Sequence, residues 1–239
     1  MTKRAIIAWS SGKDSAWALH EVRRTGQFEI VGALTTVTDT FQRVSMHGVR
    51  EELLAAQVAA AGLQAITVRI PFPCPNEAYE RAMAEALAGV SASGIEHVVF
   101  GDLFLQDVRA YREVRLAAVG MSAVFPLWGR PTAALAREMI AGGIVAHLVC
   151  VDLRALPRAF AGRRFDGALL DSMPAAADPC GENGEFHSFV SAGPMLDGAI
   201  DVTVGETVER EGFAYADLFS PPLPAATTAG AGSAARSGR

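Results

Sequence analysis

The feature that most constrains this chain lies at its start. A short apolar run, Ala5–Trp9, gives way to the small polar turn Ser10-Ser11-Gly12-Lys13-Asp14-Ser15. A helical stripe follows, with Ser15, Ala18, Leu19 and Val22 at i, i+3, i+4 and i+7 and Gly26 placed to stop it. An apolar strand feeding directly into an amphipathic helix is half of a βα unit, and the same rhythm repeats downstream. Ile30–Val37 is a β-branched strand, and His47–Ala61 carries helical spacing through Val49, Leu53, Ala56 and Ala60 before Gly62. Strand Ala65–Ile70 ends at Pro71 and precedes helix Asn76–Val90, with Asn76 as its N-cap. Strand Glu96–Gly101 precedes helix Asp107–Ala118, and strand Ala123–Leu127 precedes helix Thr132–Ala141, which Pro131 opens. Repeated strand–helix pairs with short connections predict an α/β fold, a parallel doubly wound sheet with helices on both faces.

The rhythm changes beyond about residue 143. Ala146–Val151 reads as a sixth strand, Phe165–Met173 as a short helix, Asp178–Gly184 as a polar loop, and Phe186–Val190 and Ala199–Arg210 as strands. The expected organisation is an α/β domain over 1–143, a smaller C-terminal α+β lobe over 144–220, and a disordered tail over 221–239 rich in Pro, Ala, Gly, Ser and Thr. The formal charge of −5 argues against extensive nucleic-acid binding, which usually shows a basic surplus. Cys74, Cys150 and Cys180 have no metal-ligand or C-x-x-C spacing, and a reduced compartment is the simplest expectation. The apolar run after Met1 is too short for a signal peptide, and no stretch approaches the roughly 18 apolar residues of a membrane span. The expectation is a soluble cytoplasmic protein.

The first turn has the chemistry of a phosphate site. Free N–H groups and the positive end of a helix dipole converge where a strand opens into a helix. Ser10, Ser11 and Ser15 add hydroxyls, Gly12 lets the backbone approach, and Lys13 adds a point charge. Asp14 makes sense as an N-cap or as a ligand for a magnesium ion that the phosphates share. The plainer alternative is a polar strand-to-helix turn. Neither G-x-x-x-x-G-K-[ST] nor G-x-G-x-x-G fits.

Asp102, in Gly101-Asp102-Leu103, sits at the carboxyl end of the fourth strand, on the rim that Lys13 shares. Its alternative is a loop carboxylate or helix cap. Arg109 and Arg112 are spaced to converge on one anion, or to form a solvated face. The densest later cluster runs from Pro179 to Ser188 and holds Cys180, Glu182, Glu185 and His187. It is suited to holding magnesium or positioning an amine nucleophile; otherwise it is a Gly-rich hairpin loop with solvated acids. His47 is a second pocket candidate, or simply a histidine at a helix start.

The first turn resembles the S-G-G-x-D-S signature of the PP-loop ATP pyrophosphatases, with Ser11 where the first signature glycine is usual. That resemblance implies an adenine nucleotide alpha hydrolase-like sheet and cleavage of ATP between the α and β phosphates. A substrate oxygen is adenylated and a nucleophile then displaces AMP. Ser10, Ser11, Gly12, Lys13, Asp14 and Ser15 would hold the phosphates, and the adenine would lie near Leu34 and Thr35. With Gly101-Asp102, Pro126-Leu127-Trp128 and the Gly181-Glu182-Asn183-Gly184-Glu185 loop in this order, the chain from about Ala5 to Tyr215 resembles the diphthine–ammonia ligase family.

The implied reaction is ATP-dependent amidation of a carboxylate by free ammonia, the acceptor being a small molecule or a modified protein residue. Lys13, Asp102, Glu182, Glu185 and His187 would be catalytic, Asp14 and Asp102 would hold Mg2+, and a homodimer is the family-level expectation. Archaeal and eukaryotic members typically read Gly-Glu-Gly-Gly-Glu-Tyr-Glu in the late loop. Here Phe186 replaces the tyrosine and His187 the last carboxylate, which marks a divergent, bacterial-like branch with an altered acceptor pocket. Two other functions fit the motifs less fully: a PP-loop tRNA-thiolation enzyme working through Cys180, and a non-catalytic adenine-nucleotide sensor.

Overall fold

The computed structural model describes residues 2–221. Apart from Pro221, the tail expected over 221–239 lies outside the described residues.

The first half is built on a six-stranded sheet. Strand β1 (Lys3–Ala8) runs parallel to β2 (Phe28–Thr38) on one side and to β5 (His97–Val99) on the other. Strand β4 (Gln64–Ile70) pairs parallel with the outer edge of β2, and β6 (Ser122–Val124) pairs parallel with β5. The exception is β3 (Arg43–Val44), which turns back antiparallel onto Val37 and Thr38 beyond the point where β1 stops.

Helix α1 (Lys13–Thr25) follows β1, α2 (Glu51–Ala60) follows β3, α3 (Asn76–Ala92) follows β4, α4 (Gln106–Ala117) follows β5 and α5 (Thr132–Ala141) follows β6. Side chains of β1 alternate between two cores, as strand geometry requires. Ala5 and Ile7 join a cluster with Leu19 of α1, Leu53 of α2 and Leu135 of α5. Ile6 faces the other way, into a cluster with Leu87 and Val90 of α3 and Leu116 of α4. The sheet is therefore covered on both faces, as the alternating sequence predicts. Helix α1 ends as expected: Gly26 takes φ 64°, and its N–H donates to the Arg23 carbonyl.

The second half is an antiparallel sheet in the order β8-β7-β10-β9, formed by β7 (Val145–Asp152), β8 (Phe186–Ala192), β9 (Thr203–Arg210) and β10 (Phe213–Phe219). The short helix α6 (Gly167–Ser172) lies between β7 and β8. The buried sheet residues Leu148, Val151, Phe189, Val190, Ala214 and Leu218 belong to the same cluster as residues of α1 and α2, so the two sheets share a core. No helix among the described residues is long and apolar enough to cross a membrane.

Several local expectations change. The helix expected from His47 begins at Glu51, because residues 45–48 form a turn: Ser45 N–H donates to the Thr36 carbonyl at 3.0 Å and Gly48 N–H to the Val44 carbonyl at 3.0 Å. His47 is thus a turn residue. Asn76 is the first helical residue; Pro75 occupies the N-cap and supplies no side-chain bond. The last expected strand starts at Thr203 rather than Ala199, and β10 was not expected. Its alternating burial (Ala214, Ala216 and Leu218 inward) is nevertheless an ordinary strand signature.

Candidate active site

A cleft of about 690 Å³ opens at the carboxyl ends of β1, β2, β4 and β5, where open α/β sheets take their ligands. Its floor is the Ser10–Ser15 turn. Helix α1 is capped by the Gly12 backbone, with no side-chain cap bond. Asp14 is therefore not the N-cap, and the first-turn amides have no partner inside the helix. Gly101 presses against this turn from β5: a Cβ there would lie 2.7 Å from Asp14 C and from Ser15 N. That approach brings Asp102 to the same rim.

Lys13 behaves differently from a free phosphate-binding charge. It is 1% exposed. Its Nζ donates to Asp14 Oδ1 at 3.1 Å and Oδ2 at 2.9 Å and to the Cys180 carbonyl, and it lies 5.0 Å from the Phe186 ring centroid. Burial, the largest single influence, works to lower its pKa, but Asp14, Cys180 and Glu182 together more than offset it and hold it above the ordinary lysine value. Burial also pushes the Asp14 carboxyl up, against the pull of Lys13. Lys13 is the pin between the first turn and the late loop. Its own N–H donates to Ser188 Oγ at 3.1 Å, and Val190 N–H donates to the Ser11 carbonyl at 3.0 Å. The two motifs separated by most of the chain are stitched together.

The hydroxyls serve the turn itself. Ser10 Oγ and Ser15 Oγ are 3.2 Å apart, and Ser15 Oγ donates to the Gly12 carbonyl at 3.0 Å. Ser11 lies beneath the floor. It is fully buried, has φ 67°, and its hydroxyl has no partner. Leu34 and Thr35 line the cleft from β2, with Thr35 Oγ1 donating to the Trp9 carbonyl at 2.7 Å.

Asp102 accepts from Arg112 Nε at 3.2 Å and Nη2 at 3.0 Å, and the Arg112 guanidinium lies 4.5 Å from the Phe100 ring. Arg112 therefore joins the site, whereas Arg109 turns away to Glu113 and stacks between Phe125 and Trp128. Arg109 and Arg112 do not converge on one anion.

The acids of the late loop divide. Glu182 lines the cleft, and its Oε1 accepts the N–H of Leu103 at 2.7 Å and of Phe104 at 3.4 Å. Burial, aided by Asp14 and Asp102, pushes it up to about 7 against the pull of those two N–H groups. Glu185 instead lies under the loop, accepting from Asp178 N at 2.8 Å, Asn183 N at 3.0 Å and Asn183 Nδ2 at 3.1 Å. It holds the loop's shape. Cys180 is buried, and burial pushes its thiol up to about 12. That is the reverse of an activated nucleophile and speaks against thiolation chemistry at Cys180.

His187 and His47 stack across the cleft with ring centroids 4.3 Å apart. Burial holds His187 down at about 4, helped by Lys13, and holds His47 well below the ordinary histidine value, helped by His187. At about 4, His187 is neutral near pH 7, and burial favours the neutral form of His47 as well.

Three framework residues escape the sequence reading. Gln57 is fully buried; it accepts from Trp9 Nε1 at 2.7 Å and donates to the carbonyls of Ser11 at 3.0 Å and Val190 at 2.6 Å. Ser188 caps Lys13, and Asp178 accepts the N–H groups of Cys180 at 2.9 Å and Glu182 at 3.2 Å. Gln57 alone carried a signal, as a polar residue inside the buried stripe Leu53, Leu54 and Val58.

A doubly wound sheet with this Ser-Gly-Lys-Asp-Ser turn at its first strand, closed by a Gly-Glu loop from a second lobe, defines a protein of the PP-loop superfamily. Residues 3–122 match the diphthamide synthase N-terminal domain, and residues 131–218 match the diphthamide synthase C-terminal domain. The chain belongs to the diphthamide synthase family, a family of enzymes. No curated protein matches it.

Proposed function

We propose that this protein is an ATP-dependent ligase that adenylates a substrate carboxylate, releasing pyrophosphate, and amidates it with ammonia as AMP departs. Residues 1–143 bind the nucleotide and residues 144–220 present the acceptor. The observation that carries this reading is the docking of the Gly181–Ser188 loop onto the phosphate turn through Lys13, which makes one cleft of two motifs.

The triphosphate lies over the amides that open α1, which stabilise charge developing on phosphorus without rearranging. The adenine occupies the wall at Leu34–Thr36. Lys13 fixes Asp14 and the late loop in register. Glu182, with a pKa of about 7 and its carboxylate already aimed by two amides, takes the proton that the attacking nitrogen must lose. Glu185 acts through the loop it shapes, and His187 lies beside the reacting end of the nucleotide.

Magnesium fits as a metal borne by the nucleotide. Among the described residues, no group of three or more His, Cys, Asp or Glu is placed to hold a metal. Mg2+ needs only one or two carboxylates besides phosphate and water oxygens. Asp14 and Asp102 are the hard oxygen donors on the rim that would supply them, and the ion would neutralise phosphate charge there.

Pyrophosphate release tests the reading. With ATP and magnesium, release should be stimulated by ammonium together with a carboxylate acceptor. ATP binding without turnover across a panel of carboxylates, diphthine included, would point instead to the nucleotide sensor.

A further inference from the structure

The cleft is short of positive charge for the ligand proposed. Its charged lining consists of two cations, Lys13 and Arg112, against three carboxylates, Asp14, Asp102 and Glu182. Both cations are already paired, Lys13 with Asp14 and Arg112 with Asp102. A triphosphate brings several more negative charges, of which one magnesium ion offsets only part. The remaining deficit falls on groups that can gain charge when the anion arrives.

Two such groups stand over the phosphate turn. His47 Cε1 would lie 3.3 Å from a Cβ on Gly12, so its imidazole covers the floor of the cleft. His187 stacks on it at 4.3 Å with an interplanar angle of 27°. His47 Nδ1 is buried without a hydrogen-bond partner, an exception in a folded protein that calls for an explanation. The turn that carries His47 is pinned: Arg43 Nη1 donates to the Gly48 carbonyl at 2.6 Å, and Arg43 and Arg50 both bind Asp217 of β10.

The charged and titratable groups around the stack come from every side. Lys13 and Asp14 belong to the first turn, Asp102 and Arg112 to the β5–α4 segment, and Glu182 to the late loop. On the β10 side the Tyr215 ring packs at Gly48, with Asp217 behind it between Arg43 and Arg50. Before a ligand arrives, burial favours the neutral form of both rings, with His187 and then Lys13 adding to it at His47 and Lys13 at His187. A polyphosphate on the turn reverses the local potential, and a nearby anion favours the imidazolium.

We propose that the His47–His187 stack is a proton-accepting anion site: when a polyphosphate settles on the turn at Gly12, one imidazole takes a proton from solvent and donates a hydrogen bond to a phosphate oxygen. The inference rests on the nucleotide reading of the cleft. One charge is gained rather than two, because stacked imidazolium rings repel. The proton returns to solvent when the anion leaves, and no covalent bond changes.

Calorimetric titration of the full chain with magnesium α,β-methylene ATP, in two buffers of different ionisation enthalpy near neutral pH, tests this. The expected result is net uptake of about half to one proton per nucleotide bound. Glu182, at about 7, is drawn up by the same anion and adds a share of its own. The uptake therefore falls by that share but persists in Glu182→Gln, and falls to that share alone in His47→Gln and His187→Gln. In the unsubstituted protein, the imidazole ¹⁵N shifts should show one ring passing to the imidazolium form on nucleotide addition, a readout independent of whether the variants fold. Binding with both rings still neutral overturns the proposal, as does uptake that survives both histidine variants and vanishes in Glu182→Gln. Absence of nucleotide binding to the unsubstituted protein overturns the nucleotide reading itself, and this inference with it.

Discussion

Lys13–Asp14 and Arg112–Asp102 are the same chemistry in two surroundings. Each is a cation beside a carboxylate at the carboxyl end of the first sheet. The Lys13 side chain is 2% exposed, wedged between rings and fixed by a carbonyl from the second lobe. The Arg112 side chain is 33% exposed and lies flat on Phe100 at the cleft wall. The sealed member is the lysine alone: Asp14 keeps 28% exposure at the cleft, against 11% for Asp102. Lys13 cannot exchange partners without leaving a charge stranded, whereas Asp14 and Arg112 can. Lys13 is therefore framework within the floor, and ligands exchange contacts with the exposed member of each pair.

The sharpest way to break that contrast is to remove one cation at a time. Lys13→Met keeps the aliphatic stem but strands Asp14 and the Cys180 carbonyl, and it should cost about 3 kcal/mol in urea unfolding. Pyrophosphate release should be lost with it. Arg112→Ala should cost about 1 kcal/mol or less, since exposed pairs contribute little, while still weakening nucleotide binding. Equal destabilisation by the two variants would erase the distinction between the sealed cation and the exposed one.

Glu182 sharpens the contrast on the chemical side. Glu182→Gln keeps the acceptor for Leu103 N–H but removes the proposed base, and steady-state pyrophosphate release should fall about 100-fold, a typical loss for a general base. In the unsubstituted enzyme the rate should rise with pH through about 7, as the carboxylate forms. The glutamine variant should lose that limb. Stability should move the other way. The folded-state pKa is raised from the ordinary 4.5 to about 7, so the native protein holds a proton that the unfolded chain has released. The contribution of Glu182 is fully present below pH 4.5 and is lost as pH rises through about 7. His187, depressed from 6.5 to about 4, contributes with the opposite sign over an overlapping range. The difference between the unsubstituted and Glu182→Gln unfolding curves across pH isolates the glutamate.

Gln57 tests whether the floor belongs to both lobes. Gln57→Leu preserves volume but leaves the Trp9 indole N–H and the Ser11 and Val190 carbonyls short of a partner. A loss of about 2 kcal/mol is expected. Because Val190 lies on β8 and Trp9 follows β1, the variant should also loosen the second sheet from the first. Hydrogen exchange at the Val190 amide, which donates to Ser11, should rise together with exchange at the start of α1.

What the sequence discloses follows from the range of the interactions involved. The parallel sheet, the left-handed stop at Gly26 and the small polar turn that opens α1 rest on periodicity and on neighbours within a few residues, and those are legible. The N-caps expected at Asn76 and Asp14 are not, since Pro75 and the Gly12 backbone hold those positions. The β5 glycine against the turn and the late loop over it are legible as motifs, though their contact is not. The fates of the acids are not legible. Glu182 and Glu185 sit in the same Gly-rich stretch, yet one faces the cleft and the other ties the loop from below, because Asp178 and Asn183 present their amides only once the loop is folded. The role of Lys13 is hidden for the same reason: a lysine in a phosphate turn reads as a free charge until the Cys180 carbonyl closes on it. Strand β10 alternates plainly at Ala214, Ala216 and Leu218, but two of those three inward residues are alanines, too weakly apolar to announce a strand by themselves.

Ser11 gives a small effect and the one of opposite sign. Its φ of 67° lies in the left-handed region, where a Cβ costs about 1–2 kcal/mol. Its buried hydroxyl adds a desolvation cost with no hydrogen bond in return. Glycine removes both penalties but gives up about 0.5–1 kcal/mol of unfolded-chain entropy. The carbonyl that binds Gln57 and Val190 is untouched. Ser11→Gly should therefore stabilise the protein by about 1 kcal/mol, read as a rise in the urea midpoint at constant slope. Nucleotide binding should not change, since Ser11 lies beneath the cleft floor and not on its surface. A destabilised Ser11→Gly would mean that the hydroxyl has a partner in solution, and the floor would then be less dry than its side chains indicate.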